Sequence, residues 1–106
     1  MKVYNLEGRN GRAVVNQFVI FDDNRKTFQS YDSTIIKVEW HDDFCEVNIG
    51  RDWDYSRTTT KYFKMFLMDE VGFTDEEVET IKKQLRKGHD LFGVGRFVIR
   101  YYKDMQ

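Results

Sequence analysis

The first half of the chain is patterned with a period of two. From Thr34 to Trp40, Ile36, Val38 and Trp40 fall on one side, and Lys37 and Glu39 fall on the other. That is the alternation of a strand with one buried face. Phe44 to Ile49 repeats it, with Cys45, Val47 and Ile49 inward and Glu46 and Asn48 outward. Val14 to Phe21 is rich in β-branched and aromatic residues. Its apolar run is nearly continuous, which predicts partial cover on both faces. Lys2 to Leu6 and Thr27 to Tyr31 read as shorter strands. Polar turns separate these runs: Glu7-Gly8-Arg9-Asn10-Gly11, Asp22-Asp23-Asn24-Arg25 and His41-Asp42-Asp43. The Asn-Gly pair in the first turn readily takes positive φ.

After Ser56 the period changes. Tyr62, Phe63, Phe66, Leu67 and Val71 recur at helical spacing. Ser56 or one of the following threonines supplies the N-cap, and Gly72 ends the helix. Thr74-Asp75-Glu76-Glu77 is a capping box that opens a second helix, and its acids favour the helix dipole. Val78, Ile81 and Leu85 form the buried stripe, and Gly88 stops the helix. Phe97, Ile99 and Tyr101 then alternate with Val98 and Arg100 in a last strand. That strand is expected to rejoin the sheet, because alone it would leave its ladder unpaired. The whole pattern predicts one α+β domain over residues 1–106. It is a twisted antiparallel sheet of about five to six strands with two helices packed on one face.

Composition narrows the classes. A chain of 106 residues supports one core. With 41% hydrophobic and 33% charged residues it is globular, not disordered. The net charge of −1, from 17 basic and 18 acidic side chains, argues against a dedicated duplex-DNA binder and against an acidic DNA mimic. Segregation of charge on the folded surface stays open. The single cysteine, Cys45, permits no internal disulfide and suits a reducing compartment. Met1-Lys2-Val3-Tyr4-Asn5 lacks the apolar run of a signal peptide. No stretch reaches the ~20 apolar residues of a membrane span. The expectation is a cytoplasmic protein with no membrane partner.

The chemistry concentrates in Trp53-Asp54-Tyr55-Ser56-Arg57-Thr58-Thr59-Thr60-Lys61-Tyr62. Trp53, Tyr55 and Arg57 are residue types that dominate protein–protein hot spots. The aromatics also stack on unpaired bases, with Arg57 supplying cation–π contacts and charge. Beside this stands a structural reading, in which Trp53 plugs the gap between sheet and helix and the hydroxyls act as caps. Ser30-Tyr31-Asp32-Ser33 and Trp53-Asp54-Tyr55-Ser56 share a further feature. Tyr31 and Tyr55 could present hydroxyls on one rim, with Ser30, Ser33 and Ser56 fixing the turns. Alternatively the two motifs hydrogen-bond each other and merely join sheet to helix.

Other clusters carry weaker signals. His41 and Cys45, with His89, could supply a zinc set, but their spacing fits no strong zinc pattern. A buried free cysteine beside a turn histidine explains them as well. No acyl-transfer signature surrounds Cys45, and the pairs Asp22/Asp23, Asp42/Asp43 and Asp52/Asp54 lie in turns. No catalytic residue is therefore singled out, and an enzyme is not expected. Gly93-Val94-Gly95 precedes a strand, so it reads as a kink and not as a phosphate cradle. Lys82, Lys83, Arg86 and Lys87 either meet phosphates or form a solvated helix face that offsets the C-terminal dipole.

Three segments carry a family likeness. They are Asn16-Gln17-Phe18-Val19-Ile20, Phe28-Gln29-Ser30-Tyr31-Asp32-Ser33, and Trp53-Asp54-Tyr55-Ser56-Arg57-Thr58-Thr59 with Lys61-Tyr62 and Phe66-Leu67. In this order they resemble small proteins encoded by phages, prophages and plasmids of Gram-positive bacteria. Proteins of this kind include anti-CRISPR inhibitors of Cas9. The resemblance covers about the first 70 residues, and the chain departs from it by continuing into Phe97–Tyr102. It implies a cytoplasmic inhibitor that binds a host Cas nuclease or its guide-RNA complex, with no cofactor and no reaction of its own. The expected contacts are Asp52, Trp53, Asp54, Tyr55 and Arg57, with Tyr31 on the same rim. Their acids would take the place of phosphates in a basic groove. The other classes are a single-stranded nucleic-acid binder, a small zinc protein and a self-associating subunit.

Overall fold

A computed structural model describes residues 1–103. One sheet holds β1 (Lys2–Glu7), β2 (Ala13–Asp22), β3 (Arg25–Ser30), β4 (Ser33–Trp40), β5 (Cys45–Gly50), β6 (Leu91–Val94) and β7 (Phe97–Tyr102). Its spatial order is β1-β2-β3-β4-β5-β7-β6. Between β5 and β6 run a 3-10 turn at Arg51–Asp54, helix α1 (Arg57–Phe66) and helix α2 (Asp75–Arg86). Helix α1 continues into a π turn at Leu67–Val71.

The fold is α+β, as the pattern predicts, with seven strands instead of five or six. The first five make an antiparallel meander. The sheet is not wholly antiparallel: β7 lies parallel to β5, with Val47 opposite Ile99. The physical reason lies in the order of re-entry. After the two helices the chain returns as β6, which runs opposite to β7, and the tight β6–β7 hairpin turns β7 parallel to β5. The extra strand is β6, whose Gly93 pairs with Val98 where a kink is expected from the sequence. Gly95, at φ +59, makes the tight return into β7.

The core lies on one face of the sheet. Val19, Phe28, Ile36, Val38, Val47, Ile49 and Ile99 are fully buried there. Phe63, Phe66 and Leu67 cover them from α1 and its π turn, and Val78 and Ile81 from α2. Phe28 and Phe66 stack with ring centroids 5.5 Å apart, which ties the middle of the sheet to the first helix. The partners on the opposite face alternate with these and carry Thr27, Lys37, Glu39, Glu46 and Arg100, all half-buried. There Glu46 lies 3.4 Å from the Arg100 guanidinium.

The helix ends form as their residues dictate. Ser56 Oγ accepts from the Thr59 N–H at 3.1 Å. Thr74 Oγ1 accepts from the Glu77 N–H at 3.1 Å, and the Glu77 carboxylate accepts from the Thr74 N–H at 2.9 Å. Gly72 closes the π turn at φ +99, a left-handed cap open to glycine. Among the described residues, three other than glycine also have positive φ: Asn16 (63°), Asp23 (48°) and Tyr31 (54°). Asn and Asp visit this region readily, whereas a bulky side chain there is an outlier.

Candidate functional site

The outlying tyrosine marks the place to start. Ser30 pairs with Ser33, which leaves Tyr31 and Asp32 as a two-residue turn between β3 and β4. Such turns call for positive φ, usually on glycine or asparagine. Tyr31 holds it at a cost of order 1–3 kcal/mol. Two hydrogen bonds keep it there. Its N–H donates to the Asn16 carbonyl at 2.8 Å, and Gln29 Nε2 donates to its carbonyl at 2.7 Å. The ring is left 59% exposed.

Facing this turn is the approach to α1. The 3-10 turn rolls Trp53 inward, where it is 4% exposed. Its indole meets the Phe63 ring with centroids 5.0 Å apart and planes tilted by 45°. The Arg86 guanidinium from α2 lies 5.6 Å from the indole centroid. Two residues later Tyr55 points out and is 81% exposed. Ser56 then caps α1, so the exposed ring is held one residue before a rigid element.

Between the two segments lies an open cleft of about 580 Å³. Tyr31 and Asp32 line it from the β3–β4 turn, and Asp52, Tyr55 and Thr58 from the other side. Ser30, Ser33, Ser56 and Thr59 add hydroxyls, and Ile35 adds an apolar patch. No lysine or arginine is among the lining residues. Among the described residues no hydrogen bond joins the two tyrosine motifs to each other. They form a shared rim and not a mutual clasp.

The residues expected to act together thus divide. Tyr31, Asp52 and Tyr55 share the cleft. Asp54 and Arg57 line a different groove of about 440 Å³ between α1 and α2, together with Lys61, Lys64, Lys82 and Arg86. Trp53 belongs to the core, because the short turn before α1 directs it at Phe63. At 4% exposed it offers a partner almost no surface, and its contact with Phe63 is the packing that the structural reading describes. Lys64 is held by Asp75 and by Glu79, the latter at 3.1 Å. These hydrogen bonds raise the Lys64 pKa, and the one from Lys64 lowers that of Glu79. Asp32 and Thr58 are cleft residues not singled out from the sequence. The signal for Asp32 is its place beside Tyr31 in a Ser-Tyr-Asp-Ser turn.

The residues considered for zinc do not converge. His41 Nε2 lies 3.3 Å from Glu46 and its ring stacks on Phe44. His89 contacts Gln84 at the end of α2, and Cys45 is half-buried on β5. Among the described residues no three His, Cys, Asp or Glu side chains come together as a metal set. Nor, among them, is any helix long and apolar enough to cross a membrane.

Residues 1–85 match the model of a family described as a family of unknown function, DUF8033. The chain belongs to the DUF8033 family. No curated protein and no solved structure matches it. The DUF8033 segment runs from β1 into the last turn of α2, so the whole Tyr31–Tyr55 cleft lies within it. Strands β6 and β7 lie beyond the matched residues and pair along the β5 edge of the DUF8033 sheet.

Proposed function

We propose that the protein works by docking, and that the cleft beneath Tyr31 and Tyr55 receives a basic side chain of a larger partner. The observation that carries this reading is the composition of the cleft. Two exposed phenol rings and the carboxylates of Asp32 and Asp52 line it, and no cation does. Aromatic faces attract a guanidinium or ammonium by their quadrupole, and carboxylates add charge-assisted hydrogen bonds. The strained φ of Tyr31 supports it too, because backbone strain collects where a side chain must be presented for a task.

The likeness to mobile-element proteins supplies the partner class: a host nucleoprotein machine in the bacterial cytoplasm, whose nucleic-acid groove is lined by lysine and arginine. Asp32 and Asp52 would stand in for phosphates in such a groove. In its narrowest form the partner is Cas9 loaded with guide RNA, and inhibition is by occlusion. The test is target cleavage by guide-loaded Cas9 orthologues titrated with the protein. Cleavage should fall with the wild-type chain and recover with Tyr31→Ala/Tyr55→Ala. Unimpaired cleavage at large molar excess across orthologues would remove the Cas9 assignment.

One observation favours a second reading, single-stranded nucleic acid. Arg57, Lys61 and Arg86 face the groove behind Tyr55 and, among the described residues, have no carboxylate partner. Affinity for a labelled single strand should then drop steeply with salt. No retardation at low salt dismisses it.

A further inference from the structure

A further cleft, roomier than the tyrosine cleft at about 1020 Å³, lies between the β1–β2 loop and the outer side of α1. We infer that it is a docking groove for an acidic amphipathic segment of a partner protein.

Its apolar part is open to water. Val15, on β2, is 74% exposed, and Met65 and Met68 on α1 and its π turn are half-buried. All three line the cleft. Exposed aliphatic and thioether surface in a concave site has a use when something covers it. Methionine suits such a floor, because its flexible, polarizable chain adapts to varied apolar side chains. The π turn that brings Met68 to the cleft is a second sign, since such widened turns recur at functional sites.

Charge selects the occupant. Arg9 and Arg12 from the loop and Lys61 from α1 stand around this floor, together with the carboxylates of Glu7 and Asp69, so that with Lys64 the lining carries four cations against two acids. Among the described residues none of Arg9, Arg12 and Lys61 forms an ion pair. Lys64 also lines the cleft but is already engaged by Asp75 and Glu79. An occupant with apolar residues at helical spacing and acids on its flanks meets both halves of the groove. A nucleic acid meets one half only. Its bases need exposed aromatic faces, and the aromatic residue of this lining, Tyr62, is half-buried beneath Lys61, 5.3 Å from its ring centroid.

A display library of random peptides, selected against the full chain, tests this. Enriched clones should carry net negative charge and apolar residues at i, i+3 or i+4. Their affinity should fall by about tenfold or more in Val15→Glu and in Lys61→Glu. Val15 is exposed enough to accept the change without loss of fold, which a circular-dichroism melt verifies. The proposal is overturned if no clone is enriched, if the enriched clones are neutral or basic, or if both variants bind them as the wild type does. Displacement of the clones by short oligothymidylate as effectively as by free peptide would assign the rim to phosphates and overturn it as well. None of these residues lines the Tyr31–Tyr55 cleft, so either site can fail without the other.

Discussion

Trp53 and Phe63 meet inside the molecule with ring centroids 5.0 Å apart and planes tilted by 45°, while Tyr55, two residues after Trp53, stands out in solvent. Stability and recognition are therefore divided between neighbours in one short segment. Trp53→Ala should cost about 3–5 kcal/mol in a denaturant melt, the usual range for a buried aromatic. Tyr55→Ala should stay within about 0.5 kcal/mol of wild type. Partner binding should show the reverse order once only the folded fraction is compared. Equal destabilisation by both substitutions would contradict this division.

Tyr31 is predicted to trade stability for presentation of its ring. Tyr31→Gly removes the strain of positive φ on a bulky residue, offset in part by the greater freedom of glycine in the unfolded chain. Stability should be unchanged or rise by up to about 1 kcal/mol, while binding through the cleft falls. A clear loss of stability would show that the ring contributes to folding and not to docking.

Tyr4 gives a pH signature far from the cleft. Its hydroxyl donates to Glu70 Oε1 at 2.6 Å, and Lys26 Nζ donates to the same oxygen at 3.2 Å. Burial, then the hydrogen bond to Glu70, pushes the phenol from 10.0 up to about 12. The folded value lies above the unfolded one, so the protonated hydroxyl stabilises the fold fully below about pH 10. That contribution is lost as pH rises through about 12. The stability difference between wild type and Tyr4→Phe should be constant up to the first value and vanish near the second. Absorbance at alkaline pH should show a transition near 12 that is absent in Tyr4→Phe and comes earlier in Glu70→Gln. A Tyr4 transition that stays in place in Glu70→Gln would contradict the contact.

Much of the fold is legible in the residues. The alternation of Ile36, Val38, Val47 and Ile49, the Thr74–Glu77 box and the caps at Ser56 and Gly72 appear where the pattern places them, whereas Asn48, expected outward, is buried and Cys45, expected inward, is half-buried. Two features are not legible, for physical reasons. Leu91–Val94 is too short to show a period, and glycine at 93 and 95 hides it. The parallel register of β7 on β5 leaves no trace, because Phe97, Ile99 and Tyr101 alternate alike in either direction. At the candidate site, Tyr31 and Tyr55 are readable as a pair of turn tyrosines. Trp53 is not placed by either period, because a four-residue 3-10 turn follows neither two nor 3.6.

Strands β6 and β7 shield an edge that the first 85 residues leave open. A chain ending at Lys87 would lose Ile99, which is fully buried, and the Phe73–Phe97 contact at 4.4 Å. It would also leave β5 paired with β4 alone and expose its other side as an open sheet edge. Light scattering after size exclusion should reveal concentration-dependent association, and melting should occur at lower temperature. A monomer as stable as the full chain would refute this role.

The claim that a cation-accepting cleft lies under two tyrosines is tested most directly by their own ring signals. Carbon–proton spectra of the aromatic side chains should be followed while an arginine-rich peptide is titrated in. Saturable shifts of Tyr31 and Tyr55 that disappear in Asp32→Asn/Asp52→Asn are the predicted result. Rings that do not move, or shifts that persist unchanged in that variant, would show that the cleft does not receive the positive charge.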